Sequence, residues 1–486
     1  MSDVLDTPGA CAASAILFQI PSDCWSDSDA ATMTPAELLL YRSNLLGSDL
    51  TVTNFGGGNT SAKFSETDPL SAEQVMVLWV KGSGGDLGSM KLDGFSTLYL
   101  AKLLGLEKLS RGRAHEDEMV GYLPHCTFNL NPRAASIDTP LHAFLPFAHI
   151  DHVHPDAIIA LAASSGGPSA TLEIWNGEVG WLPWKRPGFD LGLQLRDYVA
   201  ANPRLKGVML GSHGVISWGD DSKACYQNTI RLIAQAAEYL NAKLKKRPAF
   251  GGQSSSPLPL ERRKEIAARL MPKLRGLMAG DRPKIGHFSD GPEALEFVGS
   301  VDFARLAAIG TSCPDHFLRT KIVPMTLDPA KIYEDAYLKG AIANYRENYK
   351  AYYQRCTHPG DPKMRDPNPV VVLLPGVGRM TFAADKTTAR LASEFYGNAI
   401  NVMRGAEAIG SYVGLAEQEA FNIEYWVLEE AKLQRMATAY RTDVTPIVAM
   451  ARWQAGGAVD ALAAYRASGW RARKAQERRS ASAGIA

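Results

Sequence analysis

Cysteine is scarce and unclustered in this chain: six in 486 residues, at positions 11, 24, 126, 225, 313 and 356, with no Cys-x-x-Cys pair. That excludes a disulfide-built scaffold and a paired-thiolate zinc module, and it fits a reducing compartment, so a cytoplasmic location is expected. No apolar run approaches the roughly eighteen residues needed to cross a bilayer. The opening Met1-Ser2-Asp3-Val4-Leu5-Asp6 lacks the basic stretch that begins a secretory signal. Charge of one sign is not in excess either. With 52 Lys and Arg against 51 Asp and Glu the net charge is +1, so neither nucleic acid nor a membrane surface is expected as a partner. The one basic cluster, Arg471, Arg473, Lys474, Arg478 and Arg479, reads as a solvated helix end. Nucleotide signatures are missing too. No glycine loop ends in Gly-Lys-Ser/Thr, and Gly376-Val377-Gly378-Arg379-Met380-Thr381 lacks the third glycine of a dinucleotide fingerprint, so no NAD site is expected.

What is present is an ordinary globular composition, 46% hydrophobic and 21% charged, in a chain longer than a single hydrophobic core usually serves. Residues 1–30 read as an N-terminal arm, 31–245 as an α/β domain, and 246–262, rich in Pro, Gly, Ser and charge, as a linker. A second α/β domain over 263–440 and a C-terminal helical tail over 441–486 follow. In the first domain Leu38, Leu39, Tyr41 and Leu45 mark a helix over Pro35–Leu46 capped by Thr34. Short strands are expected at Thr51–Phe55 and Met76–Val80, and a long amphipathic helix at Ser222–Leu244. Beyond the linker, a helical pattern over 263–279 precedes a stretch expected to be rich in strands. Residues 207–221 align without gaps on 371–385, placing Gly214 on Gly378, Asp221 on Asp385 and His213 on Val377. A helix follows each, the second from Lys386 to about Met403. Such a match suggests that the second domain is a degenerate copy of the first.

The chemistry concentrates in Asp151-His152-Val153-His154-Pro155-Asp156 and Gly211-Ser212-His213-Gly214. Side chains alternate along a strand, so His152 and His154 project to one face and can share an ion. With His213 as a third ligand and a fourth position open, the set has the form of a catalytic rather than a structural zinc site. Two glycine loops after apolar segments, Asn54-Phe55-Gly56-Gly57-Gly58-Asn59-Thr60-Ser61 and Lys81-Gly82-Ser83-Gly84-Gly85-Asp86, offer backbone N–H groups suited to an anion.

Gly57-Gly58-Asn59-Thr60-Ser61, Lys81-Gly82-Ser83-Gly84-Gly85, Asp138 with His142, His152-Val153-His154-Pro155 and His213-Gly214 together resemble the class II aldolase/adducin family over about residues 35–245. Thr311-Ser312-Cys313-Pro314-Asp315-His316 and Glu424–Leu433 look like a narrower group, the bifunctional rhamnulose-1-phosphate aldolase/short-chain dehydrogenase proteins. Their dehydrogenase portion has no counterpart in this sequence.

The resemblance implies an α/β class II aldolase-like fold, a layered domain with a mixed sheet flanked by helices. It implies Zn2+ or another divalent cation on His152, His154 and His213, a sugar-phosphate substrate, and a homo-oligomer. Asp138 takes the place of the catalytic carboxylate, commonly Glu in the family. The phosphate-binding positions fall on Gly58, Asn59, Ser83, Gly84 and Ser136, and Ile137 replaces the second of a serine pair. His142 becomes a structural residue or a support behind the ligands. For the proton of the hydroxyl that becomes the aldehyde, His125, Tyr122, His316 and a neighbouring subunit all stay open. Asp315, His316, Arg319 and Lys321 form a polar cluster in the second domain, with His316 and Arg319 as candidate contributors to the site, although a solvated strand face is the favoured reading for Arg319 and Lys321. The activity implied is retro-aldol cleavage of a phosphorylated ketose such as L-rhamnulose 1-phosphate. The alternatives are a metal-dependent lyase, decarboxylase or epimerase acting on another substrate, phosphorylated or not, and a non-catalytic adducin-like scaffold.

Overall fold

Thr34 caps the helix Pro35–Ser48: its hydroxyl accepts from the Glu37 amide while the Glu37 carboxylate accepts from the Thr34 amide, a reciprocal pairing that satisfies two otherwise orphaned donors. The computed structural model describes residues 16–53, 57–112, 115–130, 133–280 and 283–426. The expected C-terminal tail and the first half of the arm lie outside them. No helix among the described residues is long and apolar enough to cross a membrane.

Over its described residues, 51–53, the strand expected at Thr51–Phe55 does not form. Thr51 and Val52 lie in a turn in which the Asp49 carboxylate accepts from both the amide and the hydroxyl of Thr51, and this local bonding outcompetes the β preference of Thr-Val-Thr. Residues 54–56 lie outside the described set. The first strand among the described residues is β1 (Asn59–Thr67).

The first sheet also contains β2 (Gln74–Lys81), β3 (Phe95–Tyr99), β4 (His149–Val153), β5 (Val179–Leu182), β6 (Gly207–Leu210) and β7 (Gly214–Gly219), in the order β3-β2-β1-β4-β7-β6-β5. All neighbours are antiparallel except β5 and β6, which run parallel. The helix Ser222–Leu244, whose first turn is capped by the Asp221 carboxylate accepting from the Ala224 amide at 2.8 Å, covers β4 and β7.

The central strand β4 is pinned from below by an ion pair, Arg42 Nε to Asp151 Oδ1 at 3.0 Å, in which both side chains are fully buried. Arg42 also donates to the Ser61 carbonyl at 2.7 Å, and Asp151 Oδ2 lies 3.0 Å from the Thr229 hydroxyl. Removing one partner would leave the other charge uncompensated in the core. Arg42→Ala is therefore expected to lower the unfolding free energy by about 3–5 kcal/mol in urea titrations; an unshifted midpoint would contradict this.

After the Ser222–Leu244 helix, residues 246–259 carry buried Phe250 against Phe297 before the helix Leu260–Met278 begins. The stretch expected to be strand-rich holds four short strands, β8 (Ile285–Ser289), β9 (Met325–Thr326), β10 (Val371–Leu374) and β11 (Gly378–Ala383), with helices between them. The longest of these helices, Asp335–Cys356, buries Leu338, Ile342, Tyr345, Tyr349, Tyr352 and Cys356 along one face. Tyrosine favours strands by propensity, and here the 3.6-residue spacing of the apolar face wins.

The order of the second sheet, β8-β11-β10-β9, repeats the half β4-β7-β6-β5 with the same strand senses. Leu374 pairs with Gly378 as Leu210 pairs with Gly214, and the Asp385 carboxylate caps its helix on the Thr388 amide as Asp221 does on Ala224. That helix runs Lys386–Ile409, beyond the expected end near Met403. Carried along the ladders, the register puts Phe288, opposite Met380, where the first sheet has His152, opposite Ile216. The two copies meet where the helix Asp156–Ala162 lies along Lys386–Ile409. A Cβ on Gly405 would come within 2.7 Å of Ala160, so glycine permits this approach.

Candidate metal centre

His152 lies on β4, and His154 follows one residue past its end. His213 sits in the turn between β6 and β7, after Ser212 held at a left-handed φ of 53°. At Gly214 a Cβ would stand 2.6 Å from both His154 Cδ2 and the Val153 carbonyl, so only glycine lets the His154 ring pack against this turn.

The three Nε2 atoms converge, with His152 and His154 2.9 Å apart and His152 and His213 3.2 Å apart. His152 Nδ1 lies 3.0 Å from the Val215 carbonyl and His154 Nδ1 lies 2.8 Å from Asp315 Oδ2. Both partners accept hydrogen bonds, so each Nδ1 carries a proton and, in the neutral ring, each Nε2 presents a lone pair. Two lone pairs facing at this distance repel unless a cation lies between them. Three imidazoles bound at about 2.0–2.1 Å in a tetrahedron have nitrogens roughly 3.3 Å apart, close to what is seen. The donor set fits one divalent ion.

Burial lowers the pKa of His152 to about 3 and holds His213 well below the usual range, so both stay neutral. Burial opposes the charged form of His154 as well, but the adjacent Asp315 carboxylate outweighs it and raises that pKa.

Asp138 stands beside the triad at the start of the helix Thr139–Phe144, close enough to act electrostatically on both His152 and His154, although burial still leaves the His152 pKa lowered. Its Oδ2 accepts from the Asn59 amide at 2.6 Å and the Ser136 hydroxyl at 3.3 Å. Oδ1 is buried with no hydrogen-bond partner among the described residues. Asn59 pairs with His152 across β1 and β4, so one ladder fixes the carboxylate relative to the ligands.

Residues 37–240 match the family model for the class II aldolase and adducin N-terminal domain, and residues 265–433 match that for the aldolase class II second domain. The chain belongs to the class II aldolase/adducin family. An uncharacterized oxidoreductase, YuxG, of Bacillus subtilis (strain 168) is 40% identical over 414 residues, 84% of this chain and 60% of that protein. The chain thus spans about 60% of that relative's length. A probable sugar isomerase, mlr5709, of Mesorhizobium japonicum is 60% identical over 45 residues, 9% of this chain and 10% of that protein. Among solved structures, the N-terminal class II aldolase domain of a conserved protein from Thermoplasma acidophilum is 30% identical with a TM-score of 0.41, covering 45% of this chain and 99% of that one.

In this member of the class II aldolase/adducin family Gly58 is buried at φ 75°, where a Cβ would come within 3.0 Å of the His152 carbonyl. The second loop is less open to an anion than its glycines suggest. The Gly82 and Ser83 amides donate to the carbonyls of Gly94 and Ala134, leaving Ser83 half-buried and Gly84 exposed. Lys81, at the base of that loop, is buried and acts electrostatically on His154, a cation near the triad that the spacing of the glycines drew attention away from. His142 is buried with Nδ1 2.8 Å from the Ser61 hydroxyl, one strand away from the ligands. His125 is exposed and Tyr122 packs into a core cluster of the first domain.

The polar cluster of the second domain divides. Asp315 bonds His154 directly. His316 is fully buried, 6.0 Å from the Phe395 ring, with neither ring nitrogen bonded among the described residues. Arg319 lies 4.5 Å over Phe395 and reaches the Asp315 carbonyl at 3.4 Å. Lys321 leaves the cluster, donating to the Asp366 carbonyl and covering the Tyr349 ring. Ile137 packs in an apolar cluster with Phe317, Ile423 and Trp426, while Trp184 stands 6.4 Å from His213 and donates to Glu419 at 2.9 Å. The second domain thus packs directly against His154 and His213.

Proposed function

We propose that the chain is a Zn2+-dependent aldolase that cleaves a phosphorylated ketose such as L-rhamnulose 1-phosphate to dihydroxyacetone phosphate and lactaldehyde. The observation that carries the proposal is the convergence of three buried imidazoles, with His152 Nε2 2.9 Å from His154 Nε2 and 3.2 Å from His213 Nε2, and an underbonded carboxylate oxygen beside them. His152, His154 and His213 would hold the ion, which supplies a Lewis acid able to absorb the negative charge left on carbon when a C–C bond beside a carbonyl breaks.

The chain's own residues do the rest. Asn59 and Ser136 hold Asp138 Oδ2 and leave Oδ1 to exchange a proton with that carbon. The buried neighbours of the triad exclude bulk water, which strengthens each charge interaction inside the cleft. Gly58, Asn59, Ser83, Gly84 and Ser136 are the residues proposed to orient the phosphate, contributing by positioning rather than by chemistry.

A second reading draws on Ile137, whose side chain faces an apolar cluster, and on the committed amides of Gly82 and Ser83. Both reduce the donors available to a dianion and favour an unphosphorylated substrate for a lyase, decarboxylase or epimerase reaction on the same site.

Cleavage assays with L-rhamnulose 1-phosphate and with free L-rhamnulose, the triose product being coupled to a reductase, separate the two. Release of dihydroxyacetone phosphate that a chelator abolishes and Zn2+ restores is expected. Turnover of neither ketose, or cleavage unaffected by chelation, would contradict the aldolase reading.

A further inference from the structure

The second sheet repeats half of the first, but where the first carries His152, His154 and His213 the repeat carries Phe288, Asp290 and Val377. Phenylalanine and valine offer no donor atom, so this copy cannot assemble a three-imidazole site. What it presents to the first copy's ligands is the segment Thr311–Thr320. Pro314 starts the helix Pro314–Thr320 and Asp315 occupies its first turn. Arg319, one turn on, braces the Asp315 carbonyl, and buried His316 and Phe317 anchor the helix. From this mount Asp315 Oδ2 reaches His154 Nδ1 at 2.8 Å, across 161 residues of sequence, while Cys313 Sγ lies 3.8 Å from the His213 carbonyl.

An imidazole can present either nitrogen, and a buried ring with no partner on its far side neither selects a tautomer nor keeps its rotation. His152 has the Val215 carbonyl, from its own domain, for this purpose. His154 has Asp315. We infer that Asp315 is a positioning residue of the metal centre: it holds His154 with Nε2 turned toward His152 and His213, so that the second domain sets the affinity of a site whose three ligands all belong to the first. This rests on the metal-centre reading proposed above. It also gives the degenerate copy a role after the loss of its own ligand set.

The test uses the full chain, stripped of metal and titrated with Zn2+ against a chromophoric chelator, with Co2+ as a spectroscopic substitute. Wild type is expected to bind one ion per chain. Asp315→Ala should bind the same single ion about 10- to 100-fold more weakly, with an altered Co2+ visible spectrum and an unchanged far-ultraviolet circular dichroism spectrum. Asp315→Asn, which keeps the shape and one acceptor oxygen, should fall between the two, and it decides the matter should the alanine variant fail to fold.

Unchanged Zn2+ affinity in these variants would overturn the inference and leave the metal centre standing. Two ions per chain in wild type, one of them lost with Asp315, would also overturn it, since Asp315 would then be a ligand in a group with His154 and Cys313. Absence of any bound ion in wild type, or undiminished binding by His152→Ala, would overturn the inference and the metal centre together.

Discussion

Replacing His154 by alanine is expected to lower kcat/KM by about a thousandfold or more while the chain still folds. The stabilisation a Lewis acid gives to developing carbanion charge amounts to several kcal/mol, and each 1.36 kcal/mol is a tenfold change in rate. With two imidazoles left, the site also loses most of its hold on the ion, so activity should return only in part at high Zn2+. The fold should tolerate the change because His154 lies just past the end of β4 and contributes nothing to its ladder with β7. The checks are steady-state kinetics beside metal content and circular dichroism. A variant that retains its metal and more than a tenth of wild-type kcat/KM would refute the ligand assignment.

Asp138→Asn is the second large effect. The substitution keeps the shape of the side chain and removes its capacity to take a proton, so kcat should fall by about 100- to 10,000-fold, the usual contribution of a positioned acid–base group. Metal affinity should change little, because the triad is complete without Asp138. That separation distinguishes the residue from His154, for which metal and turnover fall together. Asp138→Glu provides the complementary measurement: it restores a carboxylate one methylene longer, the residue common in the family that the sequence resembles. Recovery of at least part of the activity is expected if the carboxylate is the proton shuttle. Near-wild-type kcat in Asp138→Asn would remove that role.

Much of the candidate metal centre was legible in the sequence because the pattern that marks it is local. A His-x-His pair near a strand end and a histidine followed by glycine in a hairpin turn are short patterns whose geometry follows from strand periodicity alone. The Ser222–Leu244 helix was legible for the same reason, with Asp221 as its cap and apolar residues at helical spacing. The gapless alignment of residues 207–221 on 371–385 anticipated the repeated hairpin and helix. It could not anticipate that β8 and β9 complete the same four-strand order, since those strands are short and their pairing is long-range.

Where expectation failed, a competing local interaction or a distant partner was responsible. The Asp49 carboxylate folds Thr51 into a turn and defeats the strand expected there. The tyrosines of Asp335–Cys356 disguise a helix. Asp315 was visible within a polar cluster, but its pairing with His154 depends on how two domains dock, and no spacing within either segment encodes that. Ile137 is a similar case: as a substitution within a serine pair it looked like a lost donor, and packed against Phe317 and Trp426 it is part of the seam between the domains.

The most direct test of the central claim is a crystal structure of the Zn2+-loaded chain with anomalous diffraction recorded on both sides of the zinc edge. A single anomalous peak per chain is expected about 2.0–2.1 Å from Nε2 of His152, His154 and His213, with Asp138 alongside and Asp315 on the far nitrogen of His154. An ordered triad with no peak, or a peak bound elsewhere in the chain, would contradict the account.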